Sequence, residues 1–157
     1  MAAILLVATD FSSCARHAMR MAAQLAPSLD GELLLVHVTD LPPGLLETSE
    51  IRPMPDQPPI EAGRFVREAS SGELERYADE LRALGATVST RVEIGDPVES
   101  ILRVAAEVDP AMIVVGTHGR TGLAHLLIGS VAEKVMRRSK RPVLTVPRAA
   151  SVAEDLR

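Results

Sequence analysis

The sequence predicts a single α/β domain built on a parallel sheet, and three observations lead there. Its 157 residues suit one domain, long enough to bury a substantial core without disulfides or metals. Short β-like runs alternate with longer helical patterns along the chain, an arrangement that right-handed crossovers turn into a parallel sheet. Four of the five β-like runs are almost solidly apolar, as strands covered on both faces are.

Each element carries its own signal. The first strand is expected at Ala3–Ala8. After Ser12 and Ser13, the residues Ala15, Ala18, Met19, Ala22 and Leu25 recur at helical spacing until Pro27 stops them. Glu32–Val38 reads as the second strand. Residues 41–59 break the rhythm, with Pro42, Pro43, Pro53, Pro55, Pro58 and Pro59 among them. They read as a loop insertion over the carboxyl end of the second strand, either a ligand cover or a tolerated insertion. The second helix carries Leu74, Tyr77, Ala78, Leu81 and Leu84 and ends at Gly85, a suitable left-handed cap. Its start has two readings: a capping box of Ser70 with Glu73, or an earlier beginning through Arg64–Ala69. The third run, Ala86–Val92, alternates Val88, Thr90 and Val92 against Thr87, Ser89 and Arg91, which suits an edge strand. Asp96 as cap, Pro97 in the first turn and Glu99 behind it open the third helix. Ala111–Val115 and Pro142–Val146 complete the strands, separated by a fourth helix from Gly129-Ser130 to about Arg138.

Composition narrows the function. Apolar residues at 46% and charged residues at 24% exclude a disordered or collagen-like chain. Aromatic residues are only 2% of the chain, which argues against modules that stack bases on aromatic platforms. Lys plus Arg is 17 against 21 for Asp plus Glu, a net charge of −4, so the electrostatic footprint of phosphate-backbone binding is missing. The one basic cluster, Arg137, Arg138, Lys140 and Arg141, falls where a helix ends and suits its dipole. No nucleic-acid partner is expected. The apolar start Met1–Ala8 has no basic region before it and reads as a strand, not a signal peptide. No apolar stretch is long enough to span a bilayer, so no membrane partner is expected. A lone cysteine, Cys14, fits a reducing compartment, and a cytoplasmic location is expected. His17 and His125 lack partners at metal-ligand spacing, so no metal site is expected.

The informative stretch is Gly116-Thr117-His118-Gly119-Arg120-Thr121-Gly122, followed by Leu123–Ile128 and then Gly129-Ser130-Val131. Gly116 follows an apolar strand and Gly129-Ser130 opens a helix. Glycines permit positive φ and close backbone approach to a ligand. Successive N–H groups in such a loop form an anion nest, and a helix N-terminus adds its own N–H groups and dipole. The lysine of a P-loop is missing, and the spacing is not that of a dinucleotide fingerprint either. The alternative is two ordinary glycine turns flanking an apolar segment.

The spacing Gly116-x2-Gly119-x9-Gly129-Ser130 resembles the G-2X-G-9X-G-[S/T] signature of the ATP-binding branch of the universal stress protein family. A chance match somewhere in such a chain has a probability below about 1%. Thr9-Asp10-Phe11-Ser12 after the first strand, Val36-His37-Val38, Gly95-Asp96-Pro97 and Arg141–Pro147 agree in position. The resemblance covers residues 1–148 as one nucleotide-binding domain and leaves 149–157 as a C-terminal tail. It implies a doubly wound, five-stranded parallel sheet of order 3-2-1-4-5 with helices on both faces. Asp10 and Gly116 would then share a crevice at the topological switch point, where such sheets bind ligands.

The resemblance also implies residue roles. Ala8 and Asp10 would line the nucleoside pocket, with Asp10 accepting hydrogen bonds from ribose or base, and Val38 would offer its backbone to the adenine edge. Gly116, Thr117, His118, Gly119 and Arg120 would wrap ribose and phosphates. Gly129, Ser130 and Val131 would hold phosphate through N–H groups and the Ser130 hydroxyl. Read as residues alone, Asp10 could instead cap the first helix, and His118 could matter only through its backbone. His37 fits a satisfied core histidine and Cys14 a small buried residue.

Two functions are thus in view. One is an ATP-binding regulatory protein, with Mg²⁺ on the phosphates and at most slow hydrolysis, since no catalytic nucleophile–base pair is visible. The other is a nucleotide-independent dimeric interaction module. Either way a homodimer is expected through Pro142–Val146, an apolar edge strand.

Overall fold

The computed structural model describes residues 2–118 and 128–148. A run such as Ala3–Thr9 (β1) can satisfy both its faces only between two layers of helices, and its Leu5, Leu6 and Val7 are fully buried. The chain continues through α1 (Ser13–Leu25), a 3₁₀ turn at Ala26–Leu29, β2 (Gly31–Thr39), the short strands β3 (Glu50–Ile51) and β4 (Ile60–Glu61), and α2 (Ala62–Ala83). It ends with β5 (Val88–Ile94), α3 (Pro97–Val108), β6 (Met112–Gly116), α4 (Ser130–Arg138) and β7 (Val143–Val146).

Five strands form one parallel sheet in the order β5-β2-β1-β6-β7, the expected 3-2-1-4-5 once the two short strands are set aside. Alternate side chains of each strand feed two cores. Leu5, Val7, Leu33 and Leu35 pack with Met19 of α1 and Leu74 of α2 on one face. Leu6, Val36 and Ile113 pack with Ile101 and Val104 of α3 and Val135 of α4 on the other. Each fully buried Leu, Ile or Val contributes about 1.5–3 kcal/mol. Because α1 and α4 lie on opposite faces, the chain leaves adjacent strands β1 and β6 in opposite directions, and their carboxyl ends part into a crevice.

Several sequence-based boundaries move, each for a local reason. The second helix has the earlier of its two starts, and no capping box forms at Ser70, which lies well inside α2. The neighbouring Ser71 hydroxyl bonds back to the Arg67 carbonyl at 2.7 Å. The cap is supplied instead by residues from the proline-rich segment: Ala62 N–H donates to the Ser49 carbonyl (2.8 Å) and Gly63 N–H to that of Glu47 (2.9 Å). Glu50–Ile51 of that segment, where 41–59 was expected to be loop throughout, pairs antiparallel with Ile60–Glu61 just beyond it. The third long strand starts at Val88 rather than Ala86, because Ala86 N–H still bonds to the Leu81 carbonyl while Gly85, at φ 93°, turns the chain out of α2.

The two edges of the sheet differ. At β5, Glu93 accepts from Arg91 and Arg103, both at 2.5 Å, and Arg91 also pairs with Glu107. On the opposite face Arg82 donates twice to the Val88 carbonyl, at 2.8 and 3.2 Å. At β7 the edge strand is Val-Leu-Thr-Val, uncharged throughout, its first three residues half-buried and Val146 buried. Among the described residues no helix is long and apolar enough to cross a membrane.

Candidate functional site

At the carboxyl ends of β1 and β6 the crevice holds a cavity of about 310 Å³. β1 contributes Ala8 and Thr9, and the turn after it Asp10; β2 contributes Val38; β6 and its exit supply Gly116, Thr117 and His118; the start of α4 supplies Gly129, Ser130 and Val131. All the candidate residues named from the sequence thus line one space, except Gly119 and Arg120, which lie outside the described residues. The glycine loop between them and Ile128, with His125, and the tail 149–157 lie outside as well.

Local hydrogen bonding shapes the wall at β1. Asp10 Oδ1 accepts from the Ser12 N–H at 3.0 Å, and Ser12 Oγ accepts from the Ala15 N–H at 3.1 Å. Ser12 is therefore the cap of α1, not Asp10, which leaves the Asp10 carboxylate at the cavity wall. Thr9 is buried beside it, and His37, also buried, donates from Nδ1 to the Thr9 carbonyl at 2.8 Å. Since a carbonyl only accepts, Nδ1 carries the proton.

The opposite wall hangs on Thr117. Its N–H donates to the Val146 carbonyl of β7 at 2.9 Å, its carbonyl accepts from Gly129 N–H, and its hydroxyl lies 2.9 Å from His118 Nδ1. One buried residue thus ties together the edge strand, the loop exit and the start of α4. α1 and α3 begin with side-chain caps, Ser12 and Asp96. The N-cap of α4 is Gly129, which has no side chain to offer, and among the described residues no side chain caps this helix. The first amides of a helix have no intrahelical acceptor, and those of Ser130, Val131 and Ala132 belong to residues that line the cavity. An anion is the natural partner for such a helix end.

Gly116 serves a purpose beyond the one argued from sequence. Its φ is not in the left-handed region. A Cβ there would sit 3.0 Å from Cys14 Sγ and 3.2 Å from both the Ala15 nitrogen and the Cys14 carbonyl carbon. The glycine lets β6 run against the start of α1. Cys14 is the buried residue expected, and its thiol donates to the Val146 carbonyl at 3.3 Å.

Sequence reasoning missed the apolar floor of the cavity: Val36, Val115 and Ile101, with Pro97 and Ala132 beside them. The signal was present. Val36 has the same strand parity as Val38, and Pro97 and Ile101 are four apart on one helix face. None of residues 41–59 lines the cavity. Among the described residues no group of three His, Cys, Asp or Glu side chains could hold a metal ion.

A profile of the Universal stress protein family matches residues 1–147. Universal stress protein MJ0577 of Methanocaldococcus jannaschii is 29% identical over 155 residues, spanning 94% of this chain and 96% of its own. Universal stress protein YxiE of Bacillus subtilis is 31% identical over 145 residues, spanning 90% and 97%. The solved structure of MJ0577 superposes with a TM-score of 0.73, covering 96% of this chain and 99% of its own. A universal stress protein in complex with cAMP superposes at 0.66 with 27% identity, covering 94% and 98%. Sheet order, a profile match over residues 1–147 and similarity across nine-tenths of the chain agree, and the chain belongs to the universal stress protein family.

Proposed function

We propose that this chain is an ATP-binding regulatory protein that holds its nucleotide in the crevice between β1 and β6. The observation that carries the reading is the α4 start: a helix N-terminus whose cap residue, Gly129, has no side chain, lining the same cavity as Asp10. That pairing suits a ligand with an anionic end and a hydroxyl-bearing or base end. Asp10 would accept from ribose or base, the Val38 backbone would meet the adenine edge, and Val36 and Ile101 would give the base an apolar floor. Gly116, Thr117 and His118, with Gly119 and Arg120, would wrap ribose and phosphates, while Gly129, Ser130 and Val131 would hold phosphate. Support for an adenine ligand comes from the structural neighbour in complex with cAMP.

The described residues give Mg²⁺ no cluster of protein ligands, so the ion would arrive on the nucleotide's own phosphates. Hydrolysis, if any, would be slow, and the output would be a change in partner binding. A homodimer through β7 would put that output next to the site, because Thr117 N–H donates to the Val146 carbonyl. A second reading, a nucleotide-independent dimeric module, draws support from Gly116, whose lack of a side chain packing alone explains.

Isothermal titration of the purified protein with ATP, with and without Mg²⁺, separates the two. One ATP per chain is expected. No heat and no thermal shift at millimolar ATP would leave the dimeric module standing.

A further inference from the structure

Between β1 and α1 the chain turns through Asp10, Phe11 and Ser12. Phe11 has φ 64°, a left-handed conformation that bulky L-residues avoid. Such strain persists only where surrounding contacts over-determine it, and it concentrates at ligand clamps and switches. Here the contacts are specific. Phe11 N–H donates to Thr9 Oγ1 at 3.1 Å. Its ring stacks on His37, with centroids 4.2 Å apart and planes at 29°, and on Tyr77 of α2, at 5.6 Å and 16°. His37 in turn donates to the carbonyl of Thr9, the residue before Asp10. In a chain with one Tyr and two Phe, both Tyr77 and one Phe belong to this stack.

Asp10 and Phe11 serve opposite sides of the sheet. Phe11 and Tyr77 pack against the α1–α2 core, whereas Asp10 lines the cavity and Phe11 does not. The two residues share a backbone turn, so a rotation that relieved Phe11 would swing Asp10.

We infer that Phe11, clamped between His37 and Tyr77, is a positioning residue that holds Asp10 toward the cavity and so sets affinity for the nucleoside end of the ligand without touching it. The inference rests on the adenine-nucleotide reading above. It concerns one end of the site only, since Gly129, Ser130 and Val131 reach the cavity from α4.

Phe11→Leu keeps apolar bulk and removes the stack. Three readouts decide: calorimetric affinity for ATP, calorimetric affinity for inorganic tripolyphosphate, and amide hydrogen exchange at Ser12, whose N–H is bonded to Asp10. ATP binding is expected to weaken about tenfold, as when a charged hydrogen bond is misaligned, with tripolyphosphate unaffected and Ser12 exchange faster. Phe11→Tyr, which keeps the ring, is expected to restore the parent values. Parent-like ATP affinity in a folded Phe11→Leu, equal losses for both ligands, or unchanged Ser12 exchange would overturn the inference. Should Phe11→Leu fail to fold, Tyr77→Leu removes the far end of the stack and is expected to show the same split, smaller in size; no split there overturns it too. A parent protein that binds no ATP removes the nucleotide reading, and Ser12 exchange still decides whether Phe11 clamps the turn.

Discussion

An alanine at position 116 would place its Cβ 3.0 Å from the Cys14 sulfur and 3.2 Å from the Ala15 nitrogen. A sulfur can shift, but the backbone of α1 is held by the Ser12 cap and by Cys14 bonding to Val146. Gly116→Ala is therefore expected to cost about 1–3 kcal/mol of stability through overpacking, read from urea unfolding. Adding Cys14→Ala removes only one of the obstacles and is expected to recover part of the loss. Full recovery would show that the backbone contact does not matter. Asp10 makes a different prediction. Because Ser12 caps α1, Asp10→Ala should leave the α1 cap in place, though it loses the turn bond to Ser12, while ATP affinity falls by about 1.5–3 kcal/mol. A change in dissociation constant below about tenfold would return Asp10 to a role in the turn alone. At this scale the sequence made chemistry visible and backbone geometry invisible. Asp10 and Ser130 stand out because their side chains are of types that can bind a ligand, and both line the cavity. Nothing in Ala-Thr-Asp-Phe-Ser announces a left-handed Phe11, since its ring contacts are with His37 and Tyr77, which are remote in sequence.

Among elements, β5 is the one whose attachment depends most on charge. Burial alone would raise the pKa of the Glu93 carboxyl, but hydrogen bonds from Arg103 and Arg91 outweigh it and hold the group below its ordinary value. Glu75 is lowered too, first by the Thr90 hydroxyl and then by Arg82. A carboxyl that binds its proton more weakly in the folded state contributes stability above its unfolded pKa, about 4.3 for Glu. That stability is lost as pH falls through the folded value. Urea midpoints are accordingly expected to be level from neutral pH down to about 5 and to fall below it. Glu93→Gln should flatten part of that acid limb and cost about 1–3 kcal/mol at neutral pH, toward the lower end because Arg103 is half exposed. An acid limb unchanged in Glu93→Gln would assign it to other carboxylates. The alternation of β5 marked it as an edge from sequence, because period-two patterning is a local signal. The ion pairs that fasten it were not legible, since Arg103 and Glu107 come from the next helix. Likewise the start of α2 could not be read from its own residues. Its first amides are satisfied by Glu47 and Ser49, across a segment whose prolines suggested only irregularity.

For the molecule as a whole, strand order was what the family resemblance implied, and the position of the cavity followed from strand order. Assembly is the remaining question, and the two sheet edges bear on it. β7 presents Val143, Leu144 and Thr145 half-buried at an uncharged edge, which suits antiparallel pairing with its own copy about a two-fold axis. Sedimentation at micromolar concentration is expected to show a dimer for the parent and a monomer for Leu144→Lys. A dimer that survives the substitution would place the contact elsewhere.

At the other edge the Val88 carbonyl is already taken by Arg82, and Arg91 and Glu93 stand along the strand. A sheet joined through β7 would end in β5 on both sides, so neither end could recruit a third molecule. The asymmetry of the edges would make such an assembly count to two and stop, because growth into a fibre needs two edges that both accept a strand.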